Sequence, residues 1–344
     1  MGIGIIGHFG GKKKFNDGQT VKTIVTYDAL KRYGIDNMAI VDTYYSKKNP
    51  IVFGLSLLNC ILKHKKIIVL LSINGRRILF PILYILSKFG KEIYHYAIGG
   101  RLAREVEQKP RWKKYVNSFK GNWVESTELA DKLQGVGVKN AIYLPNFKKL
   151  NIIKPDEMIT EYAEPFRFCI FSRVMKEKGI EDAIQAIADV NKTYGKEIAQ
   201  LDIYGPIESG YDEQLNDCLN KSDGSCKYCG VVEPSKSVEA LKDYYMLLFP
   251  THWRHEGIPG TIIDSLSAGV PIISRRWQYC DEMITDNVTG YVYNFDEPEK
   301  LVDKIIYSID NVEHTMKMKK NCLESSYQYS EECVMKKIMR ELNI

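Results

Sequence analysis

Short apolar runs alternate with amphipathic stretches along this chain, and the pattern runs through once in each half. In the first half Gly2–Gly7 reads as a strand. Asp17 is placed to cap a helix reaching about Tyr33, with Val21, Ile24, Val25 and Leu30 on one side and Gly34 ending it. Further strands are predicted at Met38–Val41, Lys66–Ile73, Ile93–Tyr96, Trp123–Glu125 and Ala141–Leu144. The second half restarts with strand Phe166–Ser172 and helix Ile180–Tyr194, then strand Gln200–Tyr204, helix Tyr211–Leu219 and a strand through Tyr228. Helix Ser237–Tyr244, strand Met246–Pro250, helix Gly260–Ala268 and strand Pro271–Ser274 follow, and the tail 299–344 reads as helical with Ser330 as a cap.

Strands that alternate with helices predict parallel sheets wrapped by helices, here as two Rossmann-like, doubly wound α/β domains. The stretch 151–165 has two prolines and no strong period. It reads as a linker between a domain of residues 1–150 and one of residues 166–344, whose last helix is able to return to the first domain. Doubly wound sheets take ligands at the carboxyl ends of their strands, which predicts a site facing an interdomain cleft.

Composition narrows this picture. The 344 residues exceed one ordinary core, and 44% hydrophobic with 26% charged residues excludes a disordered chain. The opening Met1–Phe9 reads as a strand and not as a leader, and the eight scattered cysteines fit a cytosolic chain with reduced thiols. The net charge of +5 hides an asymmetry: residues 1–150 hold 26 Lys and Arg against 10 Asp and Glu, and the rest hold 22 against 33. The basic half points to an anionic partner, either a membrane leaflet or a phosphorylated acceptor. No base-reading or stacking motif accompanies the charge, so nucleic acid is not expected.

Three segments of the second half carry candidate chemistry. In Phe168–Gly179 a strand delivers Ser172 and Arg173 to its carboxyl end, and Lys178 follows just before Gly179 and a helix. A guanidinium fork and a point charge at such a turn suit a diphosphate, although the spacing alone equally fits a surface ion pair. In Leu201–Pro206 a strand runs into Gly205, which permits close approach of a ligand. In Leu248–Ile273 a strand ends at Pro250, a loop carries Glu256, and the turn Gly257, Ile258, Pro259, Gly260 opens a helix containing Thr261 and Asp264. The amides of Gly260, Thr261 and Ile262 are predicted to be free, and such a helix start attracts diphosphate without a metal. Glu256 and Asp264 then read as groups gripping sugar or ribose hydroxyls, against the plainer readings of a dipole-facing acid and a solvated helix residue.

With these residues in order, the chain resembles the retaining glycosyltransferases of GT-B fold marked by E-x7-E, which include capsule, O-antigen and lipid-linked glycan transferases. The resemblance rests on Arg173-x4-Lys178-Gly179, Gly205, Gly230, the run from Pro250 through Glu256-Gly257 to Ala268-Gly269-Val270-Pro271, and Asp286-Asn287-Val288-Thr289-Gly290 with Glu282 upstream. It is strong over 167–292 and weak in the first half, at Gly10-Gly11, Asp17-Gly18-Gln19-Thr20 and Leu144-Pro145-Asn146-Phe147. It implies that Arg173 and Lys178 hold the donor diphosphate and stabilise the leaving group. Glu256 contacts the donor sugar, the amides after Gly257 support it, and Asp264 binds ribose. Asp264 stands where the family usually has Glu, one methylene longer. The implied donor is a nucleotide sugar, uridine being the expected base, and neither cofactor nor metal is implied.

In the first half, Gly10 and Gly11 with Lys12-Lys13-Lys14, and Gly99-Gly100 after a strand, are candidates for the acceptor side; the lysines fit a solvated loop equally well. His95 either faces the donor sugar or is a satisfied core histidine. The apolar runs Ile51–Leu62, Ile67–Ile73 and Ile78–Leu86, separated by Lys63, Lys65, Lys66, Arg76 and Arg77, fall short of the roughly 20 residues of a spanning helix. The middle one reads as a buried strand; the outer two read as helices packed on it, or as an apolar face toward lipid. With the basic charge they predict peripheral attachment to the cytoplasmic leaflet, where a glycan or polyprenyl-diphosphate-linked acceptor would sit. Cys226-Lys227-Tyr228-Cys229 lacks a second such pair and reads as two buried thiols, not zinc. Trp253, Arg254 and His255 either shape the sugar pocket or fill loop space. A catalytically silent nucleotide-sugar-binding subunit and a nucleotide-sugar epimerase of the same fold are the competing readings. The first is opposed by intact Arg173, Lys178 and Glu256, the second by the scarcity of acids near strand ends in the first half.

Overall fold

A computed structural model describes residues 2–13, 17–147, 150–159, 161–254 and 256–344. The chain divides into two compact units, Met1–Lys149 with Tyr329–Ile344, and Leu150–Gln328. Unit 1 runs β1 Ile3–Gly7, α1 Gly18–Arg32, β2 Met38–Asp42, α2 Tyr45–Lys48, α3 Pro50–Lys63, β3 Lys66–Val69, α4 Ile73–Lys88, β4 Glu92–Tyr96, α5 Leu102–Gln108, α6 Pro110–Ser118, β5 Gly121–Val124, α7 Thr127–Gly135 and β6 Ala141–Tyr143. Unit 2 runs β7 Phe166–Phe171, α8 Ile180–Tyr194, β8 Ala199–Tyr204, α9 Asp212–Asn220, β9 Cys226–Tyr228, α10 Ser237–Leu241, β10 Met246–Phe249, α11 Gly260–Ser267, β11 Ile272–Arg275, α12 Cys280–Met283, β12 Gly290–Tyr293, α13 Lys300–Asp310 and α14 Val312–Ser326. The last helix, α15 Glu331–Glu341, belongs to unit 1.

Each unit has one parallel six-stranded sheet, ordered β2-β1-β3-β4-β5-β6 and β12-β11-β10-β7-β8-β9. The sheets are Rossmann-like α/β layers, as the alternation of strand and helix predicts. In unit 1 one core joins the sheet to α3, α4 and α6 through Cys60, Ile67, Val69, Phe80, Leu83 and Val116. The other joins Ile3, Ile5 and Trp123 to Leu30 of α1 and to Val334, Met335 and Ile338 of α15. Asp17 caps α1 by accepting from the amides of Gln19 and Thr20 at 3.1 and 3.0 Å, and Ser330 caps α15 through Cys333 N at 3.2 Å. Arg32 holds Glu331 of the terminal helix at 2.5 Å.

Some boundaries differ from the sequence pattern. The run Lys66–Ile73 is β3 only as far as Val69, and Ile73 already begins α4. Leu70 and Leu71 are buried too, so a continuous apolar run conceals the change of period. The helix expected over Ser237–Tyr244 ends at Leu241, because the Tyr244 hydroxyl turns inward to donate to Asp202 Oδ2 at 2.5 Å. Residues 151–159 lie on unit 2, with Ile153 N donating to Ser267 O at 3.1 Å. All eight cysteines are free thiols, Cys226 buried and Cys229 half-buried.

His95 belongs to the core, which rules out a place at the donor sugar. It is 0% exposed on the central strand β4, with Nδ1 3.3 Å from Asn122 Oδ1 and its ring set edge-on against Phe80 at 5.0 Å. Burial pulls its pKa down to about 3. The unfolded chain takes up a proton near pH 6.5 and the folded chain only near 3. Stability is therefore whole above pH 6.5 and is lost as pH falls through that window. Between pH 6 and 5 this group lowers unit 1 stability by about 1.4 kcal/mol per pH unit. Urea unfolding of wild type and His95→Leu measures it: the variant loses that slope, and an unchanged slope contradicts the assignment.

Gly205 closes β8 at φ +134°, where a Cβ would lie 1.7 Å from the carbonyl oxygen of Ser172. Gly205→Ala is therefore expected to destabilise unit 2 by about 2–4 kcal/mol. A loss below about 1 kcal/mol in denaturant unfolding would mean that the two strand ends separate easily.

Candidate functional site

The strand ends of unit 2 bring the second-half residues together. Ser172 and Arg173 leave β7 beside the end of β8, with Ser172 N donating to Tyr204 O at 3.1 Å and Val174 N to Pro206 O at 2.9 Å. The missing Cβ of Gly205 allows this approach, and Gly205 N donates to Gly230 O at 2.9 Å, tying in the end of β9. Gly179 works similarly: at φ +71° a Cβ would sit 2.2 Å from Pro250 O. Lys178 is thereby held against the end of β10.

There Lys178 Nζ meets Glu256 Oε2 at 2.5 Å, and Thr251 Oγ1 lies 3.3 Å from the same oxygen. Both charged side chains are largely buried, at 10% and 14% exposure. The ring of Trp253 faces the two cations, 4.5 Å from Lys178 Nζ and 5.9 Å from the Arg173 guanidinium. The loop carrying Glu256 is fastened at several points. His252 N donates to Glu177 O at 2.8 Å, and the His252 ring meets Asp182 at 2.7 Å. Gln278 N donates to Arg254 O at 2.9 Å. Trp277, buried against Phe249, donates from Nε1 to Gly257 O at 3.1 Å. His255 lies outside the described residues.

Helix α11 starts at Gly260 after Pro259, which offers no side-chain cap. The amide of Ile262, predicted to be free, turns back to Pro259 O at 3.2 Å. The first amides, those of Gly260 and Thr261, have no acceptor inside the helix. Thr261 Oγ1 is buried with no hydrogen bond among the described residues, an uncompensated polar atom that a ligand oxygen would satisfy. Asp264, 5% exposed, is no solvated helix residue.

These groups surround one cavity of about 390 Å³, lined by Phe171, Ser172, Arg173, Lys178, Trp253, Glu256, Pro259, Gly260, Thr261 and Asp264, with Phe249, Val232, Pro234 and Ser237. Gly205, Gly230, Gly257 and Ile258 stand outside its lining. The first three act through the backbone that places the lining residues. The arrangement presents two cations, a helix start and two carboxylates to one volume, as a phosphate-bearing, hydroxyl-rich ligand requires.

In unit 1 the candidates sit at strand ends. Gly10 and Gly11 have φ of +86° and +60°. Asp42 shapes their loop by accepting from Phe9 N at 2.9 Å and Gly11 N at 2.8 Å. Lys14 lies outside the described residues. Gly99, at φ +71°, and Gly100 are exposed after β4.

Sequence reasoning missed a polar cluster beside them. Lys22 Nζ donates to Ala97 O at 2.9 Å, pairs with Glu125 at 3.4 Å and covers the Tyr96 ring at 3.8 Å. Burial pulls its pKa down, against the raising effect of Glu125. Asn146 donates to the same Glu125 oxygen at 3.0 Å. Arg76 bonds Leu71 O at 3.1 Å and pairs with buried Glu105 at 2.8 Å. Trp277 was missed likewise; its signal was a lone tryptophan in the polar stretch Arg275-Arg276-Trp277-Gln278 after a strand.

Comparison with known proteins finds similarities in sequence and in fold. Residues 156–324 match the family model for glycosyl transferases group 1. An uncharacterized glycosyltransferase of Methanocaldococcus jannaschii is 24% identical over 227 residues, covering 63% of this chain and 53% of the relative. The alpha-monoglucosyldiacylglycerol synthase of Streptococcus pneumoniae is 23% identical over 259 residues, covering 71% and 58%. The chain thus spans little more than half the length of these relatives. Among solved structures, Anabaena HepE in complex with UDP superposes with a TM-score of 0.72 over 100% of both chains at 14% identity. The lipopolysaccharide outer core galactosyltransferase WaaB superposes with a TM-score of 0.68 over 99% of both, also at 14% identity. At such identities these likenesses speak to the fold alone. Residues 156–324 thus resemble the glycosyl transferases group 1, and the two parallel α/β sheets form a fold of the GT-B type.

Proposed function

We propose that the protein is a retaining glycosyltransferase that moves a sugar from a nucleoside diphosphate donor, most simply a UDP-sugar, to a hydroxyl of a glycan or polyprenyl-diphosphate-linked acceptor. It works at the cytoplasmic face of the membrane in surface-polysaccharide or glycolipid synthesis. The observation that carries this reading is the convergence of Arg173, Lys178, Glu256 and the start of α11 on one cavity. The names of its relatives lend support. They include the glucosyldiacylglycerol synthase already described and an amylovoran biosynthesis glycosyltransferase of Erwinia amylovora, 22% identical over 258 residues.

The diphosphate lies against the amides of Gly260 and Thr261, with the Thr261 hydroxyl as a further donor and Arg173 and Lys178 as counter-charges. In binding it competes for Lys178, now paired with Glu256. Drawing the ammonium toward phosphate leaves the Glu256 carboxylate to accept from donor-sugar hydroxyls. Asp264, in the same lining, takes the ribose. The bond from the anomeric carbon to the phosphate oxygen breaks, the acceptor oxygen forms its bond on the same face, and its proton passes to the departing phosphate. Charge developing on that phosphate is met by fixed cations and backbone dipoles, so the step needs no divalent ion. Gly10, Gly11, Gly99 and Gly100 are assigned to the acceptor.

Glu256→Gln keeps the shape of the site and removes its charge. It is expected to bind UDP near normally and to lower the transfer rate by about a hundredfold or more. Full transfer by this variant with a panel of UDP-, GDP- and ADP-sugars would exclude Glu256 from the reaction. Wild type that releases no nucleoside diphosphate from any donor would indicate a silent binding subunit, and an isomerised donor would indicate an epimerase. Trp277→Phe retains the ring against Phe249 but loses the bond to Gly257 O. It is expected to lower kcat/KM about three- to tenfold, and unchanged kinetics would show that the turn is held without it.

A further inference from the structure

Helices α3 and α4 are apolar on both sides. Their inner residues, including Phe53 and Leu57 on α3 and Phe80 and Leu83 on α4, join one core cluster over the sheet. Their outer sides carry a second set. On α3, Ile51, Leu55, Leu58 and Leu62 are 75, 63, 53 and 73% exposed. On α4, Ile78, Ile82, Ile85 and then Phe89 are 63, 40, 55 and 82% exposed. Both sets repeat at i, i+4, i+7 and i+11, so each forms one continuous stripe along its helix. The turn after α4 is tied to the end of α3, where Lys91 Nζ donates to the carbonyls of Ile61 and His64, the latter at 2.9 Å. Soluble helices with apolar residues all round are ordinarily buried, and exposed apolar stripes of this kind mark an interaction site.

The charge around the stripes selects the partner. Between Asp42 and Glu92 the chain has no carboxylate and nine lysines and arginines. Lys47, Lys48, Lys63, Lys65, Arg77 and Lys88 among them are exposed. A second copy docked face to face would set this basic surface against itself. A bilayer of anionic lipids offers phosphates to the lysines and hydrocarbon to the stripes. Neither helix crosses it: among the described residues none is long and apolar enough to span a membrane.

We propose that the paired outer stripes of α3 and α4, with their carboxylate-free basic rim, form the surface by which unit 1 lies on an anionic lipid bilayer. This deepens the reading of a membrane-side acceptor given above, and its test reads lipid binding and not transfer. The full chain is floated with vesicles of phosphatidylcholine alone and with vesicles containing about 30 mol % phosphatidylglycerol, at low and high salt. Wild type is expected on the anionic vesicles only, and less at high salt. The neutral double substitution Leu55→Gln with Ile85→Gln, at exposed positions, is expected to weaken that binding about tenfold or more. Its thermal unfolding and its transfer to a water-soluble acceptor should match wild type. Absence of wild-type binding to anionic vesicles, or equal binding by the variant, overturns the proposal. So does a wild-type dimer that the variant converts to monomer, since the stripes would then serve a second copy. If lipid binding behaves as expected while no donor supports transfer, the catalytic reading fails and the surface stands.

Discussion

A diphosphate carries more negative charge than a protein interior tolerates without fixed partners, and in the proposed function unit 2 meets that requirement. Its cavity gathers two side-chain cations and the unsatisfied start of a helix, and both cations depend on backbone contacts that admit no side chain. Gly205 lets Arg173 emerge beside the end of β8, and Gly179 holds Lys178 against Pro250. In the structure the positive charge is met from within, by Glu256 on Lys178. Breaking a largely buried ion pair is costly unless the departing partner is replaced. In the proposed function a phosphate oxygen on Lys178 and sugar hydroxyls on Glu256 are the replacements, and one contact would then couple donor binding to release of the carboxylate.

The loop bearing Glu256 has the opposite need, to stay in place while its partner changes. It is bonded to four residues: Glu177 in the turn before α8, Gln278 and Trp277 in the segment after β11, and Asp182, which meets His252. None of these touches the cavity, and together they fix the carboxylate relative to α11. Unit 1 solves a similar problem with charge. Lys22, Glu125 and Asn146 lock the ends of β4 and β5, and Arg76 with Glu105 locks the ends of β3 and β4. The glycines at 99 and 100 stand on a rigid base.

Much of this was legible in the chain. The strands of both sheets announce themselves as apolar runs between turn residues, and Arg173, Lys178, Glu256 and Asp264 each lie a few positions beyond a strand or inside the helix after it. Local sequence therefore brings them to one edge. What stayed hidden depends on neighbours distant in sequence. All of Ile93–Tyr96 is buried on a central strand, so nothing in the run shows that His95 turns to Phe80 and not outward. Lys22 looks like a solvated helix residue until Glu125, over a hundred positions away, is placed beside it. Trp277 acts on Gly257 only because β11 neighbours β10. The apolar runs of α3 and α4 were legible as helices, but which of their residues stay exposed depends on where the sheet lies.

The central claim is that fixed cations and the start of α11, without a metal, create the affinity for diphosphate. Calorimetric titration of UDP and of uridine, both in the presence of a chelator, tests it on wild type and on Arg173→Ala with Lys178→Ala. Wild type is predicted to bind UDP about a hundredfold more tightly than uridine, and the double variant to lose most of that preference while its uridine affinity is unchanged. An equal preference in the variant, or UDP binding that appears only when a divalent ion is restored, would contradict the account.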